Sequence, residues 1–212
     1  MSLIGLCGSH RTGKTSLARA YAEKQKIAFV ETSVSAIFRE LGHDPATAFD
    51  FKTRLDIQEV ILDRLDQVYG KLDPAALAIT DRTPIDMLAY TMAEAVGAAV
   101  GEAEQARFAR YTQRCLEVTN KRFSTLVLLQ PGIPLVFEEG KALMNPAYIE
   151  HLNSLMLGLS VDERVKCSHF YILRRLTDMN ERVEALDSAV RKSEYFAQQQ
   201  VEAHVIRGGY LQ

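Results

Sequence analysis

A glycine-rich segment near the start of the chain constrains the fold more than any other feature. Residues 8–15 read GSHRTGKT, which fits the pattern GxxxxGK[ST]. The apolar run SLIGLC before it is typical of a buried strand, and KTSLARAYAEKQ, which begins at the last two residues of the motif, has a helical pattern. This order brings backbone N–H groups and a helix N-terminus to one point, where phosphate oxygens bind. The sequence therefore predicts that residues 8–15 form a phosphate loop.

The side chains of the phosphate loop indicate a nucleotide with a metal ion. Lys14 is placed to reach the β and γ phosphates, and the Thr15 hydroxyl is a ligand for Mg²⁺. Arg11 either adds positive charge near the γ phosphate or points into solvent. The residues predicted to bind the cofactor from this region are Gly8, His10, Arg11, Thr12, Gly13, Lys14, Thr15 and Ser16.

Strand-like and helix-like segments alternate along the rest of the chain. Apolar runs predict further strands at 27–31, 76–80, 124–130 and 169–173, with helical patterns between them. This alternation predicts a parallel sheet with helices on both faces and a site at the carboxyl ends of the strands. We expect the 212 residues to form a single domain, 1–212, with a helical tail from about 190 to 212.

Charged residues that follow the predicted strands are candidates for the chemistry. Asp81 and Arg82 follow the third strand, so they emerge at the same sheet edge as the phosphate loop. The carboxylate can hold Mg²⁺ or accept a proton from an attacking hydroxyl, and the guanidinium can offset charge on the transferred phosphate. The alternative is an ordinary ion pair at a helix start. Glu31 ends the second strand, either as an acceptor-binding catalytic residue or as a carboxylate that stabilises the next helix.

Further basic residues are candidates for substrate contacts. Arg39 is expected to face the same cleft, and Lys141 is a candidate cation in a lid at about 131–146 that closes over the transferred phosphate. Arg174 and Arg175 follow the fifth strand and are candidates for contacts near the adenine or phosphates. A basic stripe on the predicted helix 102–122 is interpreted as a solvated face rather than a phosphate-facing surface, and it comprises Arg107, Arg110, Arg114, Lys121 and Arg122.

Composition and missing motifs exclude several classes. Lys and Arg number 25 against 27 Asp and Glu, so the net charge of −2 gives no general field for nucleic acid. Three widely spaced cysteines without a CxxC argue against a disulfide framework or a zinc site. No signal peptide or membrane span is visible, and we expect a cytoplasmic protein without membrane contact. The string at 120–123 lacks the Asp of a GTPase Asn-Lys-x-Asp motif.

Four segments together resemble one group of enzymes: GLCGSHRTGKTSLA, FVETSVSAIFRELG, ITDRTPIDMLAY and LVLLQPGIPLVFEEGKAL. They are similar to P-loop nucleoside and nucleotide kinases, in particular the AAA_28-type branch with the ribosylnicotinamide kinase domain and many phage-encoded kinases. The resemblance covers about residues 2–190. It implies an α/β P-loop NTPase fold of three α/β/α layers, a five-stranded parallel sheet of order 2-3-1-4-5, a small lid loop and Mg-ATP as donor. Lys141 departs from the arginine that relatives more often have in the lid.

The phosphate acceptor stays open at this point. The preferred hypothesis is an ATP- and Mg²⁺-dependent kinase for a nucleoside or (deoxy)nucleoside monophosphate. A second is a phage-type polynucleotide kinase, in a host cytoplasm, that phosphorylates a hydroxymethylated pyrimidine such as 5-hydroxymethyluridine in DNA. A third is a regulatory nucleotide-binding module. A homodimer stays open as well: the helix ending at Leu72 and the one near Pro146 are either dimer surfaces or parts of the core.

Overall fold

The computed structural model describes residues 2–44, 49–95, 100–136 and 144–208. Strands and helices alternate along these residues, as the sequence patterns predict. The strands are β1 (Ser2–Cys7), β2 (Ala28–Val30), β3 (Leu77–Thr80), β4 (Phe123–Leu129) and β5 (Ser168–Ile172). The helices are α1 (Lys14–Gln25), α2 (Val34–Glu40), α3 (Phe51–Gly70), α4 (Pro84–Glu94), α5 (Glu102–Arg122), α6 (Pro146–Ser160) and α7 (Met179–Gly208).

The five strands form one parallel sheet in the order β2-β3-β1-β4-β5. Strand β1 lies in the middle, with Gly5 opposite Thr80 of β3 and Leu126 of β4. Sites in such sheets form outside the carboxyl ends of strands where the order of connections changes direction. The observed order confirms the predicted one. Because β1 and β3 are neighbours, the loop after β1 lies beside the turn after β3.

Apolar side chains of the sheet pack on both faces and make it the middle of three layers. Along β4, Leu126 and Leu128 join the cluster under α3, α4, α5 and α6. Val127 and Leu129 join the cluster under α1 and α7. Alternate side chains of a strand point to opposite faces, so a sheet with buried residues at every position needs helices on both sides. This confirms the three-layer α/β/α arrangement.

The basic stripe on α5 contacts acids of the neighbouring helix α3. Arg107 binds Asp56 and Glu59, with 3.0 Å from its Nε to Glu59 Oε1. Farther along α5, two more arginines of the stripe form ion pairs with α3: Arg114 with Asp63, and Arg122 with Asp66 at 2.6 Å between Nε and Oδ1. Acids and arginines thus recur on facing sides of the two helices. Part of the stripe is a contact between helices, which differs from the solvated face that we expected.

The C-terminal helix α7 is continuous through residue 190, where the sequence pattern predicts a separate helix and tail. Its first turn is capped by Asp178, whose Oδ1 accepts from the backbone N–H of Asn180 at 2.9 Å and of Glu181 at 3.1 Å. The start of the predicted lid is described up to residue 136, and Lys141 lies outside the described residues. None of the helices described here is long and apolar enough to cross a membrane.

Replacing Arg107 by Met should lower the free energy of unfolding by about 1 kcal/mol, because Glu59 loses its cation and Asp56 is left with Lys52 alone. Arg110→Met, one turn along the same helix at an exposed position, is the matched control and should stay within about 0.5 kcal/mol. Urea denaturation of both variants measures this. Equal stability of the two variants would contradict the assigned contact.

Candidate phosphate-binding and phosphoryl-transfer site

The phosphate loop connects β1 to α1 through a tightly curled backbone. Arg11 and Gly13 have left-handed φ angles of 60° and 78°, and Gly13 is the N-cap of α1. A Cβ at Gly13 would lie 2.8 Å from Nη1 of Arg182 and 2.9 Å from Cδ1 of Ile133. The motif glycine is needed at this position both for its φ angle and for the close approach of these two side chains.

Lys14 folds back over the loop. Its Nζ donates to the carbonyl oxygen of Gly8 at 2.5 Å and to that of Ser9 at 2.9 Å. It also lies 3.9 Å from Oδ1 of Asp86. Burial lowers the pKa of Lys14 to about 8, and the Asp86 carboxylate acts against this shift. Lys14 therefore loses its proton at a lower pH than an exposed lysine does. Its closest hydrogen-bond partners are neutral carbonyls.

Asp81 links the loop to the end of β3. Its Oδ2 accepts from the Thr15 hydroxyl at 2.5 Å, and its Oδ1 accepts from the Thr32 hydroxyl at 3.1 Å. Mg²⁺ prefers hard oxygen ligands and usually keeps one or two protein ligands together with water and phosphate oxygens. The adjacent hydroxyl of Thr15 and carboxylate of Asp81 therefore fit the predicted ion. Thr32, which follows β2 by two residues, is a contact that the sequence analysis missed.

Asp86 is a fully buried acid of the site, and the sequence analysis missed it as well. Its Oδ1 accepts from the backbone N–H of Gly8 at 3.0 Å. Its Oδ2 accepts from the Thr83 N–H at 2.9 Å and from the Thr83 hydroxyl at 2.7 Å. Thr83 and Asp86 form a capping box at the start of α4, with Pro84 at its first turn. That local pattern was visible in the sequence, whereas the bond to Gly8 was not.

Arg82 follows Asp81 in the chain. The backbone carbonyl oxygen of Arg82 accepts from the Tyr69 hydroxyl at 2.8 Å. Its Nε is buried and has no hydrogen-bond partner among the described residues. Burial acts to lower the pKa of Arg82, but Asp86, Tyr90 and Asp81 more than offset this effect, so that its pKa is raised. Arg82 therefore remains a cation next to the carboxylate that faces the phosphate loop.

Several other predicted site residues lie at the surface with partners of their own. Glu31 pairs with Arg19 of α1 at 2.6 Å, and both side chains are more than half exposed. Arg174 pairs with Glu150 of α6, with 2.7 Å between Nη2 and Oε2. Two further predicted residues, Arg39 and Arg175, are exposed, and so is Ser16. Thr15 and Thr32 donate hydrogen bonds to Asp81. Among the described residues, none of these five surface residues has a hydrogen bond to Asp81 or Lys14.

A row of aromatic and charged side chains leads away from the phosphate loop. The hydroxyl of Tyr90 accepts from the His10 N–H at 3.0 Å, and the ring of Tyr148 lies 6.0 Å from that of His10. Beyond Tyr148, Glu94 pairs with Arg54 at 3.1 Å. The guanidinium carbon of Arg54 lies 4.9 Å from the ring centroid of Phe49 and 5.7 Å from that of Phe38.

The start of the predicted lid lies against the phosphate loop. Arg11 donates from Nη1 to the carbonyl oxygen of Val136 at 2.8 Å. Ile133 reaches Gly13, and Gly132 packs so closely on the backbone of Arg174 that a Cβ there would lie 2.0 Å from its carbonyl oxygen. The segment after β4 is thus fixed at one end to the loop and at the other to the residues after β5.

Asp86→Asn should lower the free energy of unfolding by about 2–4 kcal/mol, because an amide NH₂ would face the N–H or hydroxyl donors that the carboxylate now accepts. The control is Asp50→Asn, an exposed N-cap of α3 where Asn serves equally well, with an expected change within about 0.5 kcal/mol. Thermal and urea unfolding measure both. A loss at Asp86 no larger than at Asp50 would contradict the role assigned to this acid.

Comparison with known proteins identifies the family and the fold of this chain. The family model AAA_28, an AAA domain, matches residues 3–125, which is more than half of the chain. No curated protein sequence matches. A deoxyadenosine kinase from M. mycoides with bound dCTP has 15% identity and a TM-score of 0.64, covering 90% of this chain and 99% of that one. A thymidylate kinase from Candida albicans has 13% identity and a TM-score of 0.64, covering 91% and 92%.

NadR in complex with NR is a third similar structure, with 13% identity and a TM-score of 0.62 over 89% of this chain and 50% of that one. This chain therefore spans about half the length of NadR. At these identities the likeness concerns the fold, which in all three structures is shared over most of this chain. The chain belongs to the AAA_28 family and has the fold of P-loop nucleoside and nucleotide kinases.

Proposed function

We propose that the chain is a kinase that transfers the γ-phosphate of ATP, with Mg²⁺, to a nucleoside or a (deoxy)nucleoside monophosphate. The observation that carries this proposal is the 2.5 Å contact between the Thr15 hydroxyl and the Asp81 carboxylate, beside the Lys14 ammonium. It joins the loop expected to hold a triphosphate to the turn expected to act on the acceptor. Deoxyadenosine kinase and thymidylate kinase, which share the fold, lend support.

The donor would bind at the phosphate loop. Loop N–H groups and the N-terminus of α1 would face the phosphate oxygens. Lys14 would exchange the carbonyl oxygens of Gly8 and Ser9 for the β and γ phosphates, a favourable exchange because an anion replaces neutral acceptors. Thr15 and Asp81 would hold Mg²⁺. When bound, the ion would supply positive charge that offsets the negative charge of the phosphates.

The acceptor would lie across the site from the donor. Its oxygen attacks the γ-phosphorus, the bond from that phosphorus to the β–γ bridging oxygen breaks, and ADP leaves. A hydroxyl acceptor also loses a proton, for which Asp81 and Glu31 are the candidate bases, whereas a monophosphate acceptor attacks with an oxygen that is already ionised. Arg82 would offset charge on the transferred group. Glu31 would have to leave Arg19 to reach the acceptor.

The row from His10 to Phe38 is proposed to receive the acceptor. Its aromatic rings suit a nucleobase, and Arg54 and Glu94 provide a paired donor and acceptor for polar edges. The alternative of a DNA acceptor would need basic residues that face the DNA backbone, and the arginines on α5 are the candidates for this in the sequence. Arg107 and Arg114 are engaged with acids of α3, which weakens that motivation.

The test is an acceptor panel with γ-labelled ATP and Mg²⁺. Nucleosides, nucleoside monophosphates and hydroxymethylated duplex DNA are each supplied as acceptor in separate reactions. We expect label on a nucleoside or monophosphate, and a loss of at least about 100-fold in Lys14→Ala and Asp81→Asn. Asp50→Asn, the same change at an exposed helix cap, should retain full activity. Label on DNA alone would favour the polynucleotide alternative. ATP binding without transfer to any acceptor would favour a regulatory module.

The affinity for metal-free ADP should depend on the charge of Lys14. Because the free protein's Lys14 has a pKa of about 8, the affinity should be nearly constant at lower pH and should fall above pH 8, approaching about tenfold per pH unit. Calorimetric titration in EDTA measures this. Lys14→Arg keeps its charge to about pH 10 and should lack the decline. Parallel pH profiles for the two proteins would exclude Lys14 as its source.

A further inference from the structure

Arg182 of α7 lies against the phosphate loop on the side opposite Asp86. Its side chain is 1% exposed, and Nη2 donates to the carbonyl oxygen of Thr12 at 2.7 Å. Nε and Nη1 are buried and have no hydrogen-bond partner, and no ion pair joins Arg182 to an acid within the described ranges. Buried charges are normally paired, because removal from water is costly. Among the residues that the structure describes, the guanidinium beside the loop is thus left without a counter-charge.

The contact with Thr12 fixes the direction of one loop amide. In a planar trans peptide the carbonyl and the following N–H point in opposite directions. Since the Thr12 carbonyl points to Arg182, the N–H of Gly13 points away from it. Nη1 also approaches Gly13 to within 2.8 Å of a hypothetical Cβ. The position of the Arg182 guanidinium therefore requires glycine at residue 13. In turn, its hydrogen bond to the Thr12 carbonyl determines how the peptide between Thr12 and Gly13 is oriented.

The charge of Arg182 acts on the loop through protein rather than through solvent. Cδ1 of Ile133 lies 2.9 Å from the same hypothetical Cβ, so an apolar side chain borders the loop at the position that the guanidinium approaches. Burial lowers the pKa of Arg182, but a guanidinium stays charged at neutral pH. Electrostatic interactions are stronger and less screened in such surroundings than at the surface. An anion in the loop would be the missing counter-charge.

We propose that Arg182 is a positioning residue for phosphate binding: it orients the Thr12–Gly13 peptide and supplies uncompensated positive charge for a di- or triphosphate held by the loop. This inference rests on the proposed function of the phosphate loop. It assigns the role to α7, which lies on the far side of the sheet from α3, α4, α5 and α6. The reacting groups are not touched by Arg182, so its effect falls on binding of the phosphates.

The test compares ADP and inorganic tripolyphosphate binding by isothermal titration calorimetry. Arg182→Gln keeps a donor for the Thr12 carbonyl but removes the charge, and we expect it to weaken both ligands by about 10- to 100-fold. Arg182→Lys keeps the charge but loses the planar fork, with an expected loss of about 3- to 10-fold. Arg191→Gln, on the same helix and with a side chain 76% exposed, is the matched control and should change affinity less than about twofold.

Equal factors for ADP and tripolyphosphate would support a role in binding phosphates, because tripolyphosphate has no base. If the wild-type protein binds neither ligand, the proposed function falls and this inference falls with it. If the wild type binds both and Arg182→Gln binds them equally well, only the role of Arg182 is overturned, and a lowered melting temperature would then mark it as structural. Should Arg182→Gln not fold, unchanged affinity in Arg182→Lys would overturn the assigned orientation of the Thr12–Gly13 peptide, because lysine keeps the charge but not the planar fork.

Discussion

One buried carboxylate, that of Asp86, connects the parts of the site. It accepts from the Gly8 N–H at the end of β1 and from the Thr83 N–H and hydroxyl at the start of α4. A buried carboxylate is stable only when its oxygens are satisfied, so the end of β1 and the start of α4 must keep one relative position. Asp81 and Arg82 immediately precede Thr83. Their place beside the phosphate loop therefore follows from the hydrogen bonds of Asp86.

The phosphate loop is held at its two ends by side chains of opposite charge. At its start Asp86 accepts from the Gly8 N–H, and near its end Arg182 donates to the Thr12 carbonyl. The backbone N–H thus has a carboxylate as its acceptor, and the backbone carbonyl has a guanidinium as its donor. The two side chains come from helices on opposite faces of the sheet. The central position of β1 makes this possible, because helices reach its carboxyl end from both layers.

Local patterns in the sequence predicted the elements and the loop, because hydrophobic period and glycine placement act over a few residues. The strand order came from family resemblance. The groups that were missed depend on long-range contacts: 78 positions separate Gly8 from Asp86, and 170 separate Thr12 from Arg182. At the end of β2 the prediction chose Glu31, while Thr32 contacts Asp81. Neighbouring residues of an extended chain point in opposite directions, so a shift of one position changes which side chain faces the site.

The distribution of charge explains how a chain with a net charge of −2 can still present a site for a polyanion. Away from the loop, several arginines meet carboxylates: Arg107 on α5 meets Asp56 and Glu59, and Arg174 meets Glu150. At the loop, the nearest hydrogen-bond partners of Lys14 and Arg182 are backbone carbonyls, which satisfy N–H donors without cancelling charge. Binding of an anion responds to the local field rather than to the net charge. Ion pairs neutralise arginines elsewhere, whereas Arg182 has only a neutral partner among the described residues, and Lys14 lies farther from Asp86, at 3.9 Å, than from its two carbonyl partners. Positive charge therefore remains where phosphates are expected.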